Sequence, residues 1–187
     1  KGGHGAHPHA AIDPVLVGVP GDVSVECDVV PPPATVTASD TCDTDIPVAF
    51  VESQVNGSCP DNYVLNRSWT AADECLNDVT ATQFVTVQDT VAPTIICPAH
   101  ATHECPADTG VAANGSASGS DNCGSVAISS SDSILNGCGT TRTVTRTWTA
   151  SDECSNSSAC DQFVTVVDTV GPAITVNTSP ITVTDTD

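Results

Sequence analysis

Methionine is absent from the 187 residues, and aromatic side chains make up only 3% of them. Large aromatic and thioether side chains normally supply much of a core's buried area, so any core here is built mainly from Val, Ile, Leu and Ala. Fixed positive charge is nearly missing too. Lys1, Arg67, Arg142 and Arg146 stand against 23 acidic residues, for a net charge of −19. Phosphate backbones and anionic lipid surfaces repel such a chain, which excludes nucleic acid as a partner class. No apolar run approaches the roughly 18 residues of a membrane span, so no direct membrane insertion is expected. The tight C-x-x-C pairs of zinc sites are absent. So is a G-x-S-x-G nucleophile elbow, because Gly115-Ser-Ala-Ser-Gly119 has Ala at the needed place. With His4, His7, His9, His100 and His103 all away from any Ser or Cys nucleophile motif, the expectation is a protein without a catalytic set.

What the chain does have is cysteine, ten residues of it. Covalent staples in that number fit a modest core and an oxidising, extracellular or cell-surface compartment. The chain opens on Lys1 rather than Met and has no signal-type apolar region, so the expectation is that any signal peptide has already been removed.

Self-comparison organises the sequence. Arg67-Ser-Trp-Thr-Ala-Ala-Asp-Glu-Cys75 returns as Arg146-Thr-Trp-Thr-Ala-Ser-Asp-Glu-Cys154, an offset of 79 residues. Gln83-Phe-Val-Thr-Val-Gln-Asp-Thr90 returns at that offset as Gln162-Phe-Val-Thr-Val-Val-Asp-Thr169. Pro14 matches Pro93, Cys59 matches Cys138, and Cys27 and Cys42 approximately match Cys105 and Cys123. The expected organisation is an N-terminal arm (1–10), two repeats (11–89 and 90–168) and a C-terminal strand (169–187).

Each repeat reads as all-β. Short Val- and Thr-rich segments alternate with Gly, Pro, Asn, Asp and Ser clusters, and helical periodicity never exceeds a turn. In Val144-Thr-Arg-Thr-Trp-Thr-Ala, period-two alternation places Val144, Trp148 and Ala150 on one face. The fold class expected is two tandem, disulfide-stapled, immunoglobulin-like sandwiches followed by an orphan strand. Thr-Trp-Thr-Ala-Ser-Asp-Glu-Cys154, Phe-Val-Thr-Val-Val-Asp-Thr-Val-Gly-Pro172 and Asp121-Asn-Cys-Gly124 resemble the HYR-like (hyalin-repeat-like) immunoglobulin repeats of bacterial surface and secreted proteins. The resemblance covers nearly all of 11–175 and implies an extracellular stalk, adhesion or fibre module. The first repeat departs from it, with Asp40-Thr-Cys-Asp43 in the loop and two cysteines fewer.

Those two cysteines are Cys97 and Cys160, which stand where the first repeat has Gly18 and Ala81. Their joint absence there points to a Cys97–Cys160 bridge. Spacing alone leaves the other pairs open. A sandwich with strands running top to bottom places Cys105 and Cys138 at the bottom, and Cys123 and Cys154 at the top. The pairs expected from it are Cys105–Cys138 and Cys123–Cys154, with Cys27–Cys59 and Cys42–Cys75 by analogy.

After the second repeat, Pro172 and Ile174 match Pro93 and Ile95, the start of a third repeat. Ile174, Val176, Ile181 and Val183 are β-forming residues without a sheet of their own, the makings of a donor strand; the plainer view is a frayed tail or part of a longer protein. The expectation is a structural fibre or appendage subunit that assembles head to tail by strand exchange into a homo-oligomeric filament. The alternative is an adhesion module that binds glycan or protein through loops at a sandwich end.

Other candidate sites accompany this reading. Asn56, Asn66, Asn114, Asn156 and Asn177 head glycosylation sequons. Asp121, Asp152 and Glu153 gather at the top of the second repeat beside Asp89, where hard oxygen ligands could hold Ca²⁺; the competing view is a solvated loop whose Asp side chains close turns. The three histidines of the arm could offer imidazoles to a transition metal; the competing and plainer view is a flexible arm, or one that packs on a neighbour. Arg67 and Arg146 share strand parity with the tryptophans, so each is expected to stack near its Trp with the charged head at the sandwich edge.

Overall fold

The computed structural model describes residues 12–41, 45–74 and 76–175. Strands dominate in two matching series. The first runs β1 (Val15–Val17), β2 (Val23–Glu26), β3 (Thr37–Ser39), β4 (Val48–Asn56), β5 (Tyr63–Ala72) and β6 (Asp78–Gln88). The second runs β7 (Thr94–Ile96), β8 (Ala101–Glu104), β9 (Ser118–Ser120), β10 (Ala127–Asn136), β11 (Arg142–Ser151) and β12 (Ser157–Val167). Each series builds a four-stranded sheet, ordered β2-β6-β5-β4 and β10-β11-β12-β8. Each adds a two-stranded sheet, β1-β3 and β7-β9. The chain is therefore all-β, in disulfide-stabilised sandwich layers.

The leading strand of each repeat does not run unbroken to Cys105. It splits into β7, antiparallel to β9, and β8, parallel to β12. Pro98 between them has no N–H for a ladder, so pairing stops and the chain crosses to the other sheet. Backbone carbonyls freed at the crossing need partners. Gln162 supplies them, its Nε2 donating to the carbonyls of Ala99 (3.0 Å) and Asn114 (2.7 Å). Gln83 does the same in the first repeat, donating to Gly21 at 2.8 Å. Both glutamines are buried.

Alternation along the central strands decides what the cores contain. Leu65, Arg67, Trp69 and Ala71 point inward from β5, and Val144, Arg146, Trp148 and Ala150 from β11. Val85 and Val87 of β6 join Leu65, with Val23, Val25 and Tyr63 packed around them. Burying each such side chain stabilises by roughly 1.5–3 kcal/mol. The arginines are not free heads at an edge; both are buried. Nε of Arg67 donates to Glu52 at 2.7 Å and its Nη2 to the Pro31 carbonyl at 2.8 Å. Arg146 donates twice to the Asp132 carboxylate, both at 2.7 Å, and once to the Thr109 carbonyl at 3.0 Å. Its guanidinium carbon also lies 6.0 Å from the centroid of the Trp148 ring. The bidentate contact holds Asp132 below its ordinary carboxyl range and Arg146 above its own. A side chain long enough to cross the core reaches polar partners beyond it, which an edge-stacking picture overlooks.

Candidate functional site at the inter-repeat junction

In the second repeat the Asp-Glu-Cys motif is a hairpin turn that presents Cys154. In Asp152-Glu-Cys-Ser155, the Asp152 amide donates to the Asn156 carbonyl at 3.1 Å, and Ser155 takes a positive φ of 73°. Asp152 Oδ1 accepts from the Cys154 and Asn156 amides (2.8 and 2.9 Å), and Oδ2 from Asn156 Nδ2 (2.9 Å). Such Asx closure fixes the loop and aims Cys154 outward from the top of the second repeat. Cys123 is set beside it by Asp121, whose Oδ1 accepts the Cys123 amide at 2.7 Å. At the bottom of the first repeat, the β4–β5 turn presents Cys59. Here the Gly57 amide donates to the Asn62 carbonyl at 2.7 Å, and a Cβ on Gly57 would lie 2.6 Å from that oxygen. Only glycine fits so close an approach.

The connection between the repeats is short, and its shape is fixed. Glu26 takes hydrogen bonds from the Thr90 hydroxyl and amide, Asp89 Oδ1 accepts the Val91 amide at 3.3 Å, and Asn62 Oδ1 accepts the Asp89 amide at 2.7 Å. Asn156 Nδ2 crosses from the second repeat to the Asp89 carbonyl at 3.1 Å. The bottom of one repeat thus lies against the top of the next.

That contact overturns most of the expected disulfide scheme. Cys27 bonds Cys123 with Cα atoms 6.1 Å apart, and Cys59 bonds Cys154 with Cα atoms 5.2 Å apart. The pairs Cys27–Cys59, Cys105–Cys138 and Cys123–Cys154 do not form. The expected heights within each sandwich hold. The scheme went wrong by closing each repeat on itself, when bottom cysteines meet the top cysteines of the following repeat. Cys97–Cys160 does form, with Cα atoms 6.0 Å apart. Cys105 and Cys138 carry no disulfide. Cys42 and Cys75 lie outside the described residues, and with them the expected Cys42–Cys75 pair.

Between the two bridges sits an acidic cluster. Carboxylate oxygens of Asp61 and Asp121 each lie within 4.8 Å of an Asp89 oxygen. Asp89 is only 4% exposed, and its Oδ2 has no hydrogen-bond partner among the described residues. Burial, then the charges of Asp152 and Asp121, push the Asp89 carboxyl above its ordinary range. An anionic oxygen that is buried, unpaired and faced by like charge is costly unless a proton or a cation joins it. Of the expected ligands, Asp89 and Asp121 converge. Asp152 spends both oxygens on its turn, and the exposed Glu153 instead accepts the Ser125 hydroxyl at 2.8 Å. Asp61 was missed. Its signal is a difference between the repeats: it follows Cys59-Pro60, where the second repeat has Thr140.

No protein-family model matches the sequence, and no curated protein matches it. Among solved structures, the crystal structure of Drosophila N-cadherin EC1-4 is similar over 83% of this chain and 50% of that one, at 14% identity and TM-score 0.31. The Protocadherin GammaB4 extracellular domain is similar over 82% of this chain and 33% of that one, at 13% identity and TM-score 0.32. The chain spans half or less of these structures. At such TM-scores the likeness carries no weight, and the reading below rests on this chain's own geometry.

The remaining candidates disperse. Asn56 ends β4 and is exposed, whereas Asn66 has a buried Oδ1. The side-chain nitrogens of Asn114 and Asn156 are both committed: Asn114 Nδ2 donates to the Asp108 and Gly110 carbonyls, and Asn156 Nδ2 to Asp89 and Asp152. A glycan linkage at either nitrogen would displace those bonds. His103 pairs with Asn114 at 2.8 Å, and the exposed His100 accepts the Phe163 amide at 3.0 Å. Ile174 is 89% exposed. His4, His7, His9, Val176, Asn177, Ile181 and Val183 lie outside the described residues.

Proposed function

We propose that this chain is a structural subunit of an extracellular fibre or surface appendage, whose repeats are locked end to end into a stiff array. The observation that carries this reading is the junction, where two disulfides tie the bottom of one repeat to the top of the next. Two covalent ties on one end face resist both bending and twisting, the property a load-bearing array needs and a flexible multidomain enzyme does not. Disulfides at this density belong to oxidising, extracellular compartments. The repeat motifs' resemblance to HYR-like modules agrees.

Asp61, Asp89 and Asp121 would hold a divalent cation at this junction. Their all-oxygen donor set and the unpaired Asp89 oxygen fit calcium, and the cation would neutralise like charge between the repeats. Strand exchange extends the same logic to assembly. Pro14 and Pro93 are fully buried, while their counterpart Pro172 is exposed beside Ile174. In a neighbouring copy, 172–174 would take the place of Pro14 to Leu16. The resident β1 is held by a ladder of only three residues, so displacing it costs little.

The second reading, an adhesion module, is favoured by one feature. At the bottom of the second repeat a groove lined by Leu135, Gly137, Thr141, Arg142, Thr165 and Asp168 opens beside exposed Ile134 and Leu135. Negative-stain imaging of the oxidised chain tests the choice. Filaments that disappear on deletion of 170–187 are expected. A monodisperse monomer with saturable glycan or protein binding would replace the fibre reading with adhesion.

A further inference from the structure

Cys105 and Cys138 occupy, at the bottom of the second repeat, the places that Cys27 and Cys59 occupy at the bottom of the first. Cys105 follows β8 as Cys27 follows β2, and Cys138 sits in the β10–β11 turn as Cys59 sits in the β4–β5 turn. The first pair is oxidised onto the next repeat, and the second pair carries no disulfide. Cys138 is exposed and Cys105 partly so. Part of the junction's hydrogen bonding is also laid out at this end, although Thr140 and Thr141 stand where the first repeat has Asp61 and Asn62. Glu104 accepts the Thr169 hydroxyl and amide as Glu26 accepts those of Thr90, and Asp168 Oδ1 accepts the Val170 amide at 3.3 Å as Asp89 Oδ1 accepts that of Val91. The chain thus leaves the second repeat along the same hydrogen-bonded path by which it left the first. Asp89 is buried under the following repeat, while Asp168 is open to solvent. Among the described residues, this end has the layout of a junction half and no repeat packs on it.

We infer that Cys105 and Cys138 form intermolecular disulfides with a second copy of this chain, Cys105 with Cys42 and Cys138 with Cys75. The assignment follows the repeat. Cys27 bonds Cys123, whose match is Cys42, and Cys59 bonds Cys154, whose match is Cys75. A second copy is the fitting occupant because its first repeat carries the same Asp-Glu-Cys sequence as the turn that seats on the first repeat's bottom, and with Asp40 and Asp73 it carries the matches of Asp121 and Asp152. Each bond forms by oxidation of two thiols, releasing two protons and two electrons. A disulfide oxidant, protein or small-molecule, accepts both by thiol–disulfide exchange and leaves as two thiols. Because each copy offers one such end and one complementary end, the contact is heterologous and propagates as a covalent chain.

The inference rests on the head-to-tail reading, and the test separates the two. Equal amounts of ¹⁴N- and ¹⁵N-labelled chain are oxidised together with a glutathione redox buffer, run on non-reducing gels, and mapped by mass spectrometry of disulfide-linked peptides. The expected result is a ladder in steps of 18.9 kDa that reductant collapses, with mixed-isotope peptides joining Cys105 to Cys42 and Cys138 to Cys75. The C105S/C138S double variant should lose the ladder while keeping Cys27–Cys123 and Cys59–Cys154, which shows that it folds. Same-isotope Cys105–Cys138 or Cys42–Cys75 bridges, or Cys105 linked to a peptide foreign to this sequence, would overturn the inference. Wild-type filaments formed under the same oxidation without any covalent ladder would also overturn it, yet leave the fibre reading standing. Absence of both ladder and filaments would remove both.

Discussion

Removing Cys59 and Cys154 together separates the junction-spanning pairing from pairing within each repeat. In the structure the two are partners, so C59S/C154S deletes one bridge and orphans no thiol. Under pairing within repeats, the same double variant would strand Cys27 and Cys123. The loop closed by Cys59–Cys154 spans a sequence separation of 95 residues, worth about 4.7 kcal/mol of chain entropy if the bridge acted alone. With Cys27–Cys123 intact the shortest loop runs back from Cys59 to Cys27 and on from Cys123 to Cys154. That is roughly 65 residues, and the value falls to about 4.3 kcal/mol. The variant should therefore unfold in urea with a stability deficit of about 4 kcal/mol and show no increase in titratable thiol after denaturation. Two additional thiols per chain would refute the junction-spanning pairing outright. An unchanged thiol count with a deficit below about 1 kcal/mol would refute the argument that these bridges constrain the relative placement of the repeats.

Further expectations follow from the same contacts. Asp132→Asn leaves the buried Arg146 guanidinium without its carboxylate and should cost about 1.5–3 kcal/mol in chemical denaturation; because Asp132 is held below its unfolded range, this stabilisation is present at neutral pH and is lost as pH falls through the depressed value. Excess calcium should raise the melting temperature relative to EDTA, and Asp89→Asn should abolish that difference while raising the melting temperature in EDTA, since it removes a buried charge faced by like charges. Gln162→Leu should destabilise by about 1–3 kcal/mol, leaving the Ala99 and Asn114 carbonyls unpaired. In a glycosylating host, peptide mapping should find glycan at Asn56 and none at Asn114 or Asn156.

The all-β class and the strand positions were legible in the sequence because alternation and turn residues are local signals, and the 79-residue offset lets one repeat check the other. The buried face carrying Val144, Trp148 and Ala150 follows from period two alone. Cys97–Cys160 was legible for a different reason: both members are absent together from the other repeat. What could not be read was the partner of each end-facing cysteine. Composition and spacing fix which end of a sandwich Cys59 occupies, but its nearest neighbour depends on how tightly the link at 89–93 draws two end faces together. That is set by side-chain bonds from Glu26, Asn62 and Asn156, each far from the link in sequence. Gln83 and Gln162 were visible as a recurrence, but their task appears only once Pro98 is seen to break the leading strand.

The junction also explains how so acidic a chain tolerates end-on packing. At a net charge of −19, apposing two repeats brings Asp89 against Asp121 and Asp152, and Coulomb repulsion inside a partly desolvated contact is far stronger than in water. Hydrogen bonds from Asn156 and Asn62 alone would hold such faces weakly. Two disulfides make separation impossible without reduction, so the repulsion cannot open the contact; it can only be relieved in place, by a proton or a cation. An acidic centre ringed by covalent ties is thus a coherent arrangement. The ties keep the carboxylates close, and a cation bound among them would remove the strain that the ties alone have to bear. At the far end the exposed Asp168 is the match of Asp89, but Thr140 stands where the first repeat has Asp61, so only part of that acidic centre recurs there.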